Sequence, residues 1–190
     1  MDDDALISRA RAGDLDAFNL LVERYQGLVF NVCLRMLSDR AAAEDAAQEA
    51  FISAYRALGR FRGGSFRAWL LRIAANLCYD EMRRWRRRPL PLEAAADLAA
   101  PAAQSPESAL MRGELAGHLQ RGLASLPADQ RLALVLRDVQ GLAYEEIAQA
   151  MACSLGTVKS RIARGRARLR DYLKAQGLLP SGAALALEEE

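Results

Sequence analysis

Residues 142–172 read LAYEEIAQAMACSLGTVKSRIARGRARLRDY, and their spacing decides the fold class. A helix over residues 144–151 places Ile147, Ala148 and Met151 on one stripe. Ala152, Cys153 and Ser154 interrupt it, and Ser154 can cap the next helix by accepting a bond from a free backbone N–H just inside. In that second helix Val158, Ile162, Gly165 and Leu169 recur at helical spacing and form one face. Ser160, Ala163, Arg164 and Ala167 point the opposite way, flanked by Lys159, Arg161, Arg166, Arg168 and Arg170. A short scaffold helix, a small turn and a basic second helix describe a helix-turn-helix, whose second helix enters the DNA major groove. The alternative is a hairpin with a merely solvated basic face. Against it, residues 157–174 hold seven Lys/Arg and one acid, Asp171, whereas solvated helices mix signs to gain pairs one turn apart.

Working outward, the whole 190-residue chain reads as all-α. Its 52% hydrophobic content is dominated by Ala and Leu, aromatics are 6%, and no alternating run of Val, Ile or Thr suggests a strand. The net charge of +2 hides strong segregation. Residues 1–54 carry ten acids against five Arg, and residues 56–88 carry ten Arg against two acids. Cys33, Cys78 and Cys153 are dispersed, His118 stands alone, and neither pattern suits a metal or a disulfide framework. No cofactor is expected. No stretch reaches 18 apolar residues and the N-terminus is acidic, so a cytoplasmic chain with no direct membrane insertion is expected.

Upstream, Leu6, Ile7 and Ala10 form a short amphipathic turn ending near Gly13, and Asp14 can cap a helix running to Leu37. Ser38 and Asp39 start another helix, with Ala43, Ala47, Phe51, Ala54, Tyr55 and Leu58 as its inner stripe. Glu44, Asp45, Gln48 and Glu49 crowd its first half. They complement the helix dipole, or they form a docking face for a basic partner. Residues 59–64 read as a flexible basic connector, and Ser65 caps a third helix with Phe66, Trp69, Leu70, Ile73 and Leu77 in phase. Arginines 83, 84, 86, 87 and 88, interleaved with Trp85 and near Tyr79, suit single-stranded nucleic acid. Cations track its phosphates and aromatic faces stack its bases. Residues 89–106 carry four prolines and no basic residue, a flexible linker between domains at 1–88 and 107–174. In the second domain Leu110, Leu115, Leu119 and Leu123 form a stripe. Pro127 opens a further helix carrying Leu132, Val135, Leu136 and Val139, and residues 175–190 are a tail expected to fray.

Five segments taken together resemble the extracytoplasmic-function (ECF, group IV) sigma factors of the sigma-70 family, sigma-E-like. They are FNLLVERYQGLVF, AEDAAQEAFISAYRAL, FRGGSFRAWLLRIAANLCYDEMRRWRRR, SLPADQRLALVLRDVQGLAYEEIA and GTVKSRIARGRARLR. The resemblance spans residues 5–173 and includes the order of segments and the linker. It implies a sigma2-like helical bundle and a sigma4-like helix-turn-helix domain, and a protein that binds core RNA polymerase, directs it to promoters and helps open the DNA. It is not an enzyme: it selects sequence and favours the melted state by differential affinity.

By the same resemblance, Glu44, Asp45, Gln48, Glu49 and Phe51 meet the polymerase β′ clamp helices, and the second domain meets the β flap. Asn76, Leu77, Cys78 and Tyr79 match a loop that holds a flipped base of the −10 element, with Arg83, Arg84 and Trp85 beyond it. Thr157, Lys159, Ser160, Arg161, Ala163 and Arg164 match the positions that read the −35 element as duplex. An anti-sigma protein and a role in a stress or envelope response are implied too. Two departures matter. Ala143 stands where the family often has a capping Ser, and Ala163 is small where a related factor carries bulk, which implies an altered −35 preference. A polymerase-independent regulator would need a ligand pocket or dimer seam in its N-terminal half. An enzyme would need convergent carboxylates, whereas Glu44/Asp45 and Asp80/Glu81 are neighbours that diverge on a helix.

Overall fold

The computed structural model describes residues 2–87 and 106–179, with side chains in the second segment from residue 113 onward. Arg88, the expected linker 89–105 and residues 180–190 of the expected tail lie outside the described residues, as does the side chain of Leu110. Every regular element among those described is helical. The first half is α1 (Asp3–Arg11), α2 (Leu15–Leu37), α3 (Arg40–Ala57), a 3-10 turn (Leu58–Arg60) and α4 (Phe66–Arg87). The second half is α5 (Pro106–Ala124), α6 (Ala128–Leu134) with a π turn (Val135–Val139), α7 (Tyr144–Met151) and α8 (Leu155–Ala175).

Caps set the boundaries in the first half. Asp14 accepts from Ala17 N at 3.1 Å and Asp39 from Ala42 N at 2.8 Å, each satisfying an N–H that a helix start leaves open. Leu21, Val29, Val32, Cys33 and Met36 of α2 are fully buried against α3 and α4. The face of α3 toward them is a ladder of Ala43, Ala46, Ala47, Ala50 and Ala54, whose small side chains let the helices approach closely. Tyr55, expected on that inner stripe, is instead 39% exposed and meets Phe18 edge-on.

Residues 59–64 are not a free connector. Phe61 is buried, its ring perpendicular to Phe66 at 5.8 Å and tilted against Trp69 at 5.2 Å. Arg11 donates to the Leu58 and Phe61 carbonyls, so the turn is tied to α1. The buried line of α4 runs through Phe66, Leu70, Ala74 and Cys78, with Ala68, Leu71 and Ala75 beside it. Ile73 and Leu77, expected at the centre, are half-buried at its edge. Cys33 and Cys78 share a hydrogen bond in this core, which with burial pushes the Cys78 thiol well up from its ordinary value.

In the second half α6 is buried almost all round, Gln130 and Arg131 included, because it lies between α2 and α8. Its continuation is a π turn, closed by Gln140 N donating to Val135 O at 3.0 Å. The extra residue in that turn shifts the helical phase, so Val139 emerges 48% exposed instead of continuing the Leu132, Val135, Leu136 stripe. Leu115 is likewise 47% exposed; α5 turns Gln120 and Leu123 inward instead. Gly122 explains how close α5 comes to α8: a Cβ there would lie 2.6 Å from Leu169. The halves touch along two seams, α7 against α4, and α5 with α6 against α2.

Candidate nucleic-acid interface

α8 begins where Ser154 accepts from Thr157 N at 3.2 Å. The turn before it places Ala152 in the left-handed region at φ 49°, which ends α7 and lets the chain turn into α8. Val158 and Ile162 then point into the core. Gly165 lets α8 press on α6, since a Cβ there would stand 3.0 Å from Leu134 and 3.3 Å from the Gln130 carbonyl. With that face buried, Lys159, Ala163 and Arg164 stand exposed on the other side, and Ser160 is half-buried. The remaining expected positions are engaged inside the fold. Thr157 belongs to the cap, the Ser160 hydroxyl donates to the Thr157 carbonyl at 3.0 Å, and Arg161 pairs with Asp129 of α6 at 3.0 Å. Arg166 grips Asp138 with two bonds at 2.7 and 3.1 Å, which fastens α8 to the π turn.

The scaffold helix α7 starts without a side-chain cap, because Ala143 has no acceptor to offer. Glu146 partly makes up for this by accepting from Ala143 N at 3.3 Å. Sequence periodicity gave no sign of the role of Tyr144. Its ring lies under the Arg137 guanidinium at 4.7 Å and near Lys159 Nζ at 5.9 Å, so a cation of the outer face rests on an aromatic face of α7. Arg168, one turn beyond Arg164, is exposed in the same direction and extends the basic surface. The helical spacing of residues 164 and 168 was the signal for it.

Asn76, Leu77, Cys78 and Tyr79 lie within α4, not in a loop. The correction has a simple cause: no Gly or Pro interrupts residues 66–87, and helix-forming residues carry the turn through. Helical phase then separates the four. Cys78 is fully buried, Asn76 is exposed, and Leu77 and Tyr79 are half-buried. Burial pushes the Tyr79 hydroxyl up to about 12, against the opposing pull of Arg161 nearby. Further along, Arg83 pairs with Asp80, and Arg84 with Glu81 at 3.2 Å, so this strip carries its own acids one turn back. Trp85 packs half-buried against the core.

On α3, Glu44, Asp45 and Gln48 are exposed, while Glu49 is partly covered and bonded to Ser53. Phe51 is only 9% exposed; it lines a groove of about 680 Å³ with Val22, Phe30 and Ile52. Ile52, missed in the sequence because it falls off the stripe, is 37% exposed at the lip of that groove. Glu44 and Gln48 border this largely apolar trough, whereas Asp45 and Glu49 line a separate cleft with Leu77, Glu81 and Arg84. Among the described residues no helix is long and apolar enough to cross a membrane.

Two family models match the chain, Sigma-70 region 2 over residues 21–88 and Sigma-70, region 4 over residues 117–169. The RNA polymerase sigma-H factor of Pseudomonas aeruginosa is 43% identical over 173 residues, covering 86% of this chain and 90% of the relative. The ECF RNA polymerase sigma-E factor of Escherichia coli is 42% identical over 177 residues, again 86% and 90%. Among solved structures, the sigma factor RpoE in complex with the anti-sigma factor NepR from Bartonella quintana matches with a TM-score of 0.68. It is 27% identical, over 83% of this chain and 96% of that one. CnrH in complex with the cytosolic domain of CnrY also gives 0.68, at 28% identity over 92% and 99%.

Proposed function

The chain belongs to the extracytoplasmic-function sigma factors of the sigma-70 family, and from that membership we infer what each of its faces does. It binds core RNA polymerase, directs it to particular promoters and promotes DNA opening; it performs no bond chemistry of its own. The observation that carries the reading is the division of α8, with Val158, Ile162 and Gly165 buried and Lys159, Ala163 and Arg164 exposed. A helix so divided presents cations and small residues to a duplex while its scaffold stays packed. We assign Lys159, Ser160, Ala163 and Arg164 to the −35 duplex, with Thr157 and Arg161 orienting the helix through its cap and through Asp129.

Asn76, Tyr79, Arg83, Arg84 and Trp85 are assigned to the −10 single strand, Leu77 and Cys78 forming the packed side of the same strip. Glu44, Asp45, Gln48 and Glu49, with Phe51 in the adjoining trough, are assigned to the polymerase clamp helices, and the second half to the β flap. The family-model boundaries support taking residues 1–88 and 107–174 as the two working units. The protein works in the cytoplasm, where polymerase and promoters are. An anti-sigma protein holds it inactive and answers to a stress or envelope signal. The two similar complexes, RpoE with NepR and CnrH with CnrY, support that partner.

Run-off transcription with purified core polymerase on genomic DNA fragments tests the assignment. Added chain should produce discrete new transcripts, and a chain carrying Asp45→Lys and Glu49→Lys should produce none while keeping its helicity. The absence of any chain-dependent transcript would refute the reading.

A further inference from the structure

The cations of α8 are held in different ways. Arg161 and Arg166 are drawn into the fold by Asp129 and Asp138, while Arg164 and Arg168 stand exposed. Lys159 is exposed too, yet its Nζ lies 5.9 Å from the centre of the Tyr144 ring. Tyr144 is the first residue of α7, half-buried and packed against the core. The Arg137 guanidinium lies over the same ring at 4.7 Å, and Arg137 is anchored in turn by donating to the Leu142 carbonyl at 2.9 Å. One ring thus joins the π turn, the scaffold helix and the second turn of α8.

An ammonium within about 6 Å of a ring centre is attracted to the electron-rich face of the ring. No carboxylate pairs with Lys159 among the described residues, so the ring is what its charge rests on. Without such a rest a lysine chain spreads over many rotamers, and that freedom is lost when it grips a phosphate. The ring occupies one side of the ammonium only. Lysine carries three N–H donors, so the side away from the ring stays available to an anion. Arg137, over the same ring, repels Lys159 and keeps it from settling further into the scaffold.

We propose that Tyr144 is a positioning residue for duplex binding: its ring, steadied by Arg137, holds the Lys159 ammonium at the outer face of α8 so that it meets DNA already aimed. The proposal rests on the assignment of α8 to duplex. Tyr144 acts through Lys159 and not by touching DNA itself. An aromatic ring is therefore required at position 144, and the phenol hydroxyl is not. The scaffold helix then does more than support α8 from behind, since it also orders one of the cations that α8 presents.

The test uses the full chain and a duplex carrying the −35 element of a promoter found by run-off transcription. Anisotropy titrations are run well below each variant's melting temperature, so that lost stability does not pass for lost affinity. Tyr144→Phe should bind within about 1.5-fold of the unaltered chain, and Tyr144→Leu about threefold more weakly. In a chain that already carries Lys159→Ala, Tyr144→Leu should change affinity by less than about 1.5-fold. Equal losses from Tyr144→Phe and Tyr144→Leu would mean that the hydroxyl itself meets DNA. An undiminished loss in the Lys159→Ala chain would place the effect of the ring elsewhere, and no loss from Tyr144→Leu would leave the ring idle. Each of these three results overturns the positioning role. Lys159→Ala and Arg164→Ala should each weaken binding and flatten its salt dependence. If neither does, the assignment of α8 to duplex has failed, and the positioning role with it.

Discussion

Helices α4 and α8 are nearly the same length, both begin at a capping serine, and both are rich in arginine, yet they neutralise charge differently. In α4 the acids are local: Asp80 and Glu81 sit one turn before Arg83 and Arg84 on the same helix. In α8 the acids are remote: Asp129 and Asp138 reach across from α6 and the π turn to Arg161 and Arg166. Local pairs are exposed and shift with the solvent, so they contribute little to stability. Remote pairs tie a helix to its scaffold and fix which way it faces. On the proposed assignment, α8 is then a rigid duplex reader with chosen cations left over, and α4 is a single-strand surface whose arginines can exchange acid for phosphate. That suits their targets, since a duplex groove has fixed geometry and a melted strand does not.

The largest test of this contrast is at Gly165. A valine there meets Leu134 and the Gln130 backbone and should cost the fold about 1–3 kcal/mol, taking duplex binding with it. The same change at Ala163, on the exposed side, should stay within about 0.5 kcal/mol. Urea unfolding of the two variants measures the difference, and equal losses would break the assignment of faces. Arg164→Ala comes next. It should weaken duplex binding about tenfold and leave the melting temperature unchanged, whereas Arg161→Ala should lower both by loosening α8 from α6. Anisotropy titrations at several salt concentrations, run beside thermal melts, separate the two.

Asn76→Ala should act on the other helix alone. Open-complex formation, read by permanganate reactivity of unpaired thymines, should fall several-fold and preference at one promoter base should relax. Duplex binding by the full chain should stand. Equal loss of both activities would make Asn76 structural. The smallest expected effects are at the caps: Ser154→Ala and Ser65→Ala should each cost about 1 kcal/mol. Ser65 also reaches Glu146 in the other half, so its replacement should additionally widen the scattering profile, which Ser154→Ala should not.

What the sequence disclosed was chiefly periodicity and capping. Helix boundaries at Asp14, Asp39, Ser65 and Ser154 were legible because each is a short polar residue before a helical stripe. The burial of Val158, Ile162 and Gly165 was legible from spacing alone. Other features were not. The phase slip that exposes Val139 comes from a π turn, which no pattern of apolar residues announces. Phe61 looked like part of a glycine-rich connector because its partners Phe66, Trp69 and Arg11 are assembled only by the fold. The loop expected over residues 76–79 was a reading by resemblance, and local helix propensity contradicts it. Gln120 and Arg131 were invisible because each reaches a backbone carbonyl on a helix more than 80 residues away.

The position of those acceptors has a thermodynamic consequence for the whole chain. The end of α2 is finished by donors from the other half, so the first half does not carry all the bonds its own helix end uses. Stability is then a shared property, and heating the chain should give one calorimetric transition where two separately capped domains would give two. A fragment cut at the linker, in turn, exposes bare carbonyls at residues 35 and 36 and becomes a frayed relative of the domain it was meant to represent. Affinities measured on such fragments describe a helix end that the intact protein does not show.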